Sequence, residues 1–295
     1  MTCSGVYTAL VTPFDSTGKV DIEGFRLHIQ RQNEAGASGL VVLGTTGEAA
    51  TLTHPEKEAL LKAAKEEANS LSLMVGCGTY STTQTIENIQ WAADKGCDCA
   101  LVVSPFYNKP TQEGLFSHYA AICRASPIPI VLYNNPSRTG CNMSLEAIKR
   151  IADLPCVIGI KECSGGVQQA GELIAFAKQK RPDFSILCGD DILTLPMMAL
   201  GADGVISGGA NLIPKEMVML VEACRQGEFK KAREIHHNLL PLFNALSVES
   251  HPIPLKAALQ LAGLPSGEPR LPLTPLQTKY LPLVKEAWSS VTHIF

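Results

Sequence analysis

The chain has 295 residues, 45% of them hydrophobic and 18% charged. That is length for one large or two modest domains, with too much apolar content for a disordered chain. The net charge is −3 and no Lys/Arg block stands out, so nothing marks a nucleic-acid or anionic-lipid surface, and the apolar runs fall far short of the ~20 residues that span a bilayer.

The opening, Met1-Thr-Cys-Ser-Gly-Val, lacks the basic and then apolar pattern of a secretory signal. The ten cysteines contain no Cys-x-x-Cys, the closest pair being Cys97 and Cys99. They are expected to be structural thiols in a reducing cytoplasm. Short apolar runs then recur along the chain at 6–11, 39–43, 73–76, 99–103, 128–132, 156–160, 185–188 and 204–207. Being apolar at nearly every position, they suit strands of a parallel sheet covered on both faces. Helical spacing fills the intervals: Ile22, Phe25 and Ile29 fall on one face, Leu145, Ile148 and Ile151 step by three, and Thr53-His-Pro-Glu56 has the form of a capping box.

Eight strand-helix repeats within residues 1–225 predict a (β/α)8 TIM barrel. A doubly wound sheet would carry a glycine-rich nucleotide loop after its first strand, where this chain reads Thr12-Pro-Phe-Asp15. Residues 226–295 read as a C-terminal α-helical domain, with helices expected at 228–248, 254–262 and 275–290. That extension shows no charged or aromatic constellation, so packing or assembly is its expected role.

In such a barrel the chemistry sits at the C-terminal strand ends. The sixth strand ends at Lys161. A lysine there is pulled from water, which lowers its pKa and makes its amine a candidate nucleophile toward carbonyls; a strand-end lysine can also simply snorkel to solvent. Gly159, on the same face, is expected to leave room beside it for a substrate. Tyr133, at the end of the neighbouring strand, can give and take protons or merely line the rim. Thr45, Thr46 and Gly47 offer hydroxyls and N–H groups to a small carboxylate, and Arg138 can clamp a second one. Asp190 and Asp191, with no histidine beside them, read as a helix cap and first-turn acid rather than metal ligands.

These motifs resemble those of the dihydrodipicolinate synthase family, within the pyruvate-dependent class I aldolases that include N-acetylneuraminate lyase. The resemblance spans nearly the whole length and lies in Val11-Thr-Pro-Phe14, Gly44-Thr-Thr-Gly-Glu48, Pro105-Phe-Tyr-Asn-Lys-Pro110, Tyr133-Asn-Asn-Pro-Ser-Arg-Thr-Gly140, Gly159-Ile-Lys-Glu162, Gly189-Asp-Asp191 and Gly204-Val-Ile-Ser207. It implies a lyase in which Lys161 forms an imine with pyruvate and Tyr133 is the general acid/base, in relay with Thr45 and with Tyr107 from a neighbouring subunit. Thr46 would hold the pyruvate carboxylate, Ile206 would contact pyruvate through its backbone, and Gly189 would shape the pocket. The enamine would attack L-aspartate 4-semialdehyde, giving 4-hydroxy-tetrahydrodipicolinate and water, with no metal or organic cofactor and in a homotetramer. Arg138 favours this activity over a sugar-acid lyase. A non-catalytic keto-acid-binding barrel would be expected to have lost Lys161 or Tyr133. Lysine-inhibited members carry other residues where this chain has Tyr80, Gln84, Phe106 and Lys57, although His54 matches, so weak or absent lysine inhibition is expected.

Overall fold

The computed structural model describes residues 2–292, so residues 293–295 of the expected C-terminal domain lie outside the described residues. Its strands are β1 (Gly5–Ala9), β2 (Gly39–Val42), β3 (Ser72–Gly76), β4 (Cys99–Val103), β5 (Ile130–Asn134), β6 (Val157–Glu162), β7 (Ser185–Cys188) and β8 (Gly204–Ser207). They follow one another in chain order around a closed barrel, and the ladders joining β1 to β2 and β3 through β8 are parallel. This is the expected (β/α)8 barrel. The helices are α1 (Ile22–Ala35), α2 (His54–Glu67), α3 (Thr82–Asp94), α4 (Gln112–Ala125), α5 (Pro136–Thr139), α6 (Leu145–Ala152), α7 (Val167–Lys180), α8 (Thr194–Leu200), α9 (Pro214–Arg225), α10 (Phe229–Ala245), α11 (Ile253–Leu261) and α12 (Leu281–Thr292).

Contacts divide the chain into two compact units. One holds Leu73–Ile206 with the described residues of Met1–Gly5, the other Val6–Ser72 with the described residues of Ser207–Phe295. In the first unit the strands are buried on both faces: Ala100 and Val102 of β4, Ile130, Val131 and Leu132 of β5 and Ile160 of β6 are all inaccessible to solvent. That is why their sequences run apolar without alternation. β5 begins two residues later than expected because Pro127 and Pro129 have no N–H to give a ladder. β6 extends two residues further, to Glu162, and so carries Lys161 inside the strand. The β5–β6 register then sets Tyr133 beside Lys161 and Asn134 beside Glu162.

In this unit Cys123 of α4 and Cys156, just before β6, form a disulfide across a sequence separation of 33. This corrects the expectation of thiols throughout. The pair is brought together by the α4–β5–β6 crossover, with a Cα separation of 5.6 Å that suits a bridge. The other eight cysteines among the described residues take no part in a disulfide.

In the second unit α1 opens on Asp21, whose carboxylate accepts the Gly24 N–H at 2.9 Å, and stops at Gly36, a left-handed residue with φ 74°. α2 opens on the expected box, Glu56 accepting the Thr53 N–H at 2.8 Å. α12 starts six residues later than expected. Pro282 would clash with the carbonyl four residues back in a longer helix, and at the second helical position it is tolerated. Among the described residues, no helix is long and apolar enough to cross a membrane.

Candidate active site

Lys161 stands on β6 with 7% of its surface exposed, and its Nζ lies 4.5 Å from the centroid of the Tyr133 ring. The ammonium rests on the negative π-face of a neighbour placed there by strand register. Gly189, just after β7, is what admits the lysine: a Cβ at 189 would come within 2.7 Å of Lys161 Cε and run into Cys163 Sγ. Gly159 does something other than expected. A Cβ there would meet the Ser185 carbonyl oxygen at 2.5 Å, so the missing side chain makes room for β7 rather than for a substrate. The β6–β7 register, which pairs Gly159 with Ser185, is the reason.

Burial disfavours the Lys161 ammonium, but Tyr133, Cys163 and Asp191 favour it by more, and its pKa lies above the ordinary lysine value. The burial was foreseen; the lowered pKa was not borne out, because acidic neighbours that tertiary contact supplies outweigh desolvation. Arg138 pushes the other way. It sits exposed on the short helix α5, with its charge felt at Lys161. Burial pushes the Cys163 thiol up to about 12, leaving it protonated. Asp190 occupies the cap position of the 3-10 turn Asp191–Leu193, but its side chain makes no cap hydrogen bond; burial raises its pKa and the Lys161 charge counters that.

Glu162, next to the lysine, is 2% exposed. Its oxygens accept from Asn134 Nδ2 at 3.1 and 3.2 Å and from the Ser164 N–H at 2.6 Å, and burial raises its pKa against these hydrogen bonds. Ile206 of β8 is wholly buried, whereas Tyr107 is 91% exposed on a left-handed backbone with φ 72°, so its ring is left in solvent. Tyr80 meets Phe106 edge-on at 5.6 Å, and the Gln84 amide donates to Glu87 at 3.0 Å.

The second unit carries the Gly44–Glu48 turn that follows β2. Thr45 is exposed; Thr46 is buried with its hydroxyl 2.9 Å from His251 Nε2. The His251 ring fits because Gly208 has no side chain, a Cβ there coming within 2.8 Å of it. Thr12 Oγ1 donates to the Gly47 carbonyl at 2.7 Å. Glu48, left-handed at φ 51°, is held through both oxygens, by Lys256 Nζ at 2.6 Å and by the Arg270 N–H at 2.9 Å. Both partners of the Lys256–Glu48 pair are 1% exposed. Lys256 and Arg270 also lie over the Phe14 ring, 4.1 and 4.3 Å from its centroid, and the Arg270 guanidinium grips Glu56, taking its carboxyl down to about 2.

The extension therefore has the charged constellation that sequence reading missed: His251, Lys256 and Arg270, all committed to one turn and its flanks. One signal was available. Lys256 is the one charged residue in the mostly apolar IPLKAALQL of α11, where an unpartnered charge would be costly.

A closed (β/α)8 barrel in which β5 and β6 set a phenol beside a buried amine, with a guanidinium on the turn after β5, has the form of a (β/α)8-barrel enzyme. This chain belongs to the dihydrodipicolinate synthetase family, whose model matches residues 2–290. It is 49% identical over 281 residues to the 4-hydroxy-tetrahydrodipicolinate synthase of Protochlamydia amoebophila, covering 95% of this chain and 94% of that one. The crystal structure of dihydrodipicolinate synthase from Thermotoga maritima superposes with a TM-score of 0.96 at 41% identity, over 99% of each chain. That of the chloride-inhibited synthase from Acinetobacter baumannii, complexed with pyruvate, does so with a TM-score of 0.95 at 37% identity, over 99% of this chain and all of the other.

Proposed function

We propose that this chain is the lyase that condenses pyruvate with L-aspartate 4-semialdehyde to 4-hydroxy-tetrahydrodipicolinate and water, in diaminopimelate and lysine biosynthesis. The observation that carries this reading is the buried Lys161 amine resting 4.5 Å from the Tyr133 ring. The raised pKa means that the amine must lose a proton before it attacks the pyruvate carbonyl. Tyr133 relays that proton and, as water leaves, those of carbinolamine and imine.

The protonated imine is the electron sink for loss of a pyruvate C3 proton, so the carbon chemistry calls on no metal or organic cofactor. The resulting enamine carbon attacks the aldehyde, and the amine of the second substrate displaces Lys161 by transimination as the ring closes. Thr45 and Tyr107 extend the relay, Tyr107 from a neighbouring subunit of a homotetramer; its 91% exposure leaves it available for that. Thr46 and its turn take the pyruvate carboxylate, Ile206 offers its backbone, Gly189 keeps room for the lysine, and Arg138 takes the carboxylate of the semialdehyde. The cytoplasm is the compartment that goes with this reading.

Treatment with pyruvate and borohydride should fix a reduced adduct on Lys161, located by peptide mapping. An unmodified Lys161 would overturn the mechanism. Faster turnover of N-acetylneuraminate or a 2-keto-3-deoxy acid than of aspartate semialdehyde would overturn the substrate assignment. Light scattering that finds a monomer would remove the subunit-crossing role of Tyr107.

A further inference from the structure

The residue after the barrel strand β5 that carries Tyr133 and Asn134 is Asn135, itself 8% exposed. Its Nδ2 donates to the Tyr133 hydroxyl oxygen at 3.0 Å, and its Oδ1 accepts from Ser137 Oγ at 2.7 Å. Its backbone carbonyl is the anchor of the turn that bears Arg138. The Arg138 N–H reaches it at 3.1 Å, the Thr139 N–H at 3.0 Å and Thr139 Oγ1 at 3.0 Å. One buried residue thus holds the phenol with its side chain and the guanidinium-bearing turn with its main chain.

We propose that Asn135 is a positioning residue for proton transfer, its carboxamide tethering the Tyr133 hydroxyl to the Arg138 turn. A phenol that must accept and return protons at several steps gains from a fixed oxygen. The amide donor fills one acceptor site on that oxygen and leaves the phenol's own hydrogen directed elsewhere, and Ser137 in turn holds the carboxamide in its plane. The tether also joins the two substrates' handling. A carboxylate pulling on Arg138 loads the same carbonyl-centred turn that ends on the phenol.

This inference rests on the reading of Tyr133 as the acid/base, and the test separates the two. With pyruvate alone in heavy water, Lys161 forms the imine, a C3–H bond breaks with its electron pair moving into the enamine, and the phenol carries the proton away. The phenol trades that proton for a solvent deuteron and delivers it to C3 as the enamine reverts to the imine, which is followed by proton magnetic resonance. In Asn135→Leu, of similar size and without the amide, the final extent of borohydride trapping at equilibrium with pyruvate and the KM for pyruvate should stay within about twofold of the parent, while C3 exchange and kcat fall about tenfold, the worth of one hydrogen bond. Ser137→Ala, at an exposed position, leaves the carboxamide in place but unbraced, and should slow exchange about threefold; it keeps the test alive if Asn135→Leu fails to fold.

Exchange at the parent rate in Asn135→Leu, or in Ser137→Ala where the former cannot be made, overturns the inference. Equal loss of trapping and exchange in Asn135→Leu overturns it too, by making the residue merely structural. If Tyr133→Phe itself exchanges at the parent rate, the underlying reading of Tyr133 has failed. If Tyr133→Phe is inert and the two tether variants are normal, only Asn135 has.

Discussion

Arg138 and Lys161 carry opposite burdens although both are cations of one site. Arg138 is exposed, and the proposed reaction assigns it a substrate carboxylate. Arg138→Ala should therefore raise the KM for aspartate semialdehyde roughly 10- to 100-fold, the cost of a charge-assisted bidentate contact, with pyruvate trapping intact. Equal loss of both would show the arginine to be misassigned. Lys161 is buried among acidic groups, and its pKa is raised, so the neutral fraction that attacks pyruvate grows about tenfold per pH unit below that pKa. The rate of imine formation at limiting pyruvate should climb from pH 7 to pH 9; a flat profile would mean that deprotonation does not gate attack. Gln84, with its amide turned to Glu87, supplies no formal charge to an ammonium ligand. Activity should survive millimolar lysine nearly intact, and half-inhibition below a millimolar would sink that expectation.

Among the elements, α11 and the segment behind it do more than cover the barrel. Lys256 of α11 pairs with Glu48 at 2.6 Å with both side chains buried, and burial pulls the lysine pKa down against that bond. Removing one partner of such a pair strands the other charge, at a cost of about 3–5 kcal/mol, whereas removing both is far milder. Lys256→Met should thus lower the unfolding free energy by about that amount, and adding Glu48→Gln should recover much of it in urea titrations. A double variant no better than the single one would argue that the ion pair is not what holds the turn. Because Glu48 ends the Thr45-Thr46 turn, the single variant should also raise the KM for pyruvate.

For the whole molecule, acid should loosen the fold well above the range where ordinary carboxylates titrate. Burial takes His28 of α1 and His118 of α4 down to about 4 from 6.5. The unfolded chain then binds protons that the folded chain refuses, so stability is complete above pH 6.5 and declines as pH falls toward 4. By pH 5 the loss is about 2 kcal/mol per histidine, reduced by Glu162 and Asp190, whose raised pKa values make the folded state take up protons first. Urea midpoints at pH 7 and pH 5 test this. An unchanged midpoint would mean that the imidazoles are not desolvated as their burial implies.

Much of the protein was legible in the chain. All eight strands were, because burial on both faces leaves uninterrupted apolar runs, and so were Lys161, Tyr133, Thr46 and Arg138 as strand-end groups, because polar residues closing such runs have to be explained. Ends moved where backbone chemistry ruled, at Pro129 and Pro282. Tertiary structure alone decided what each group feels. Register turned Gly159 toward Ser185 and set the Tyr133 ring under the lysine; acidic neighbours reversed the direction of its pKa; the Cys123–Cys156 bridge and the hold of His251, Lys256 and Arg270 on a turn some 200 residues earlier lie between residues that share no local pattern. Hydrophobic periodicity is a short-range property of a chain and reports its elements. Electrostatics and hydrogen bonding act through space, so the environment of a side chain exists only once the barrel has closed.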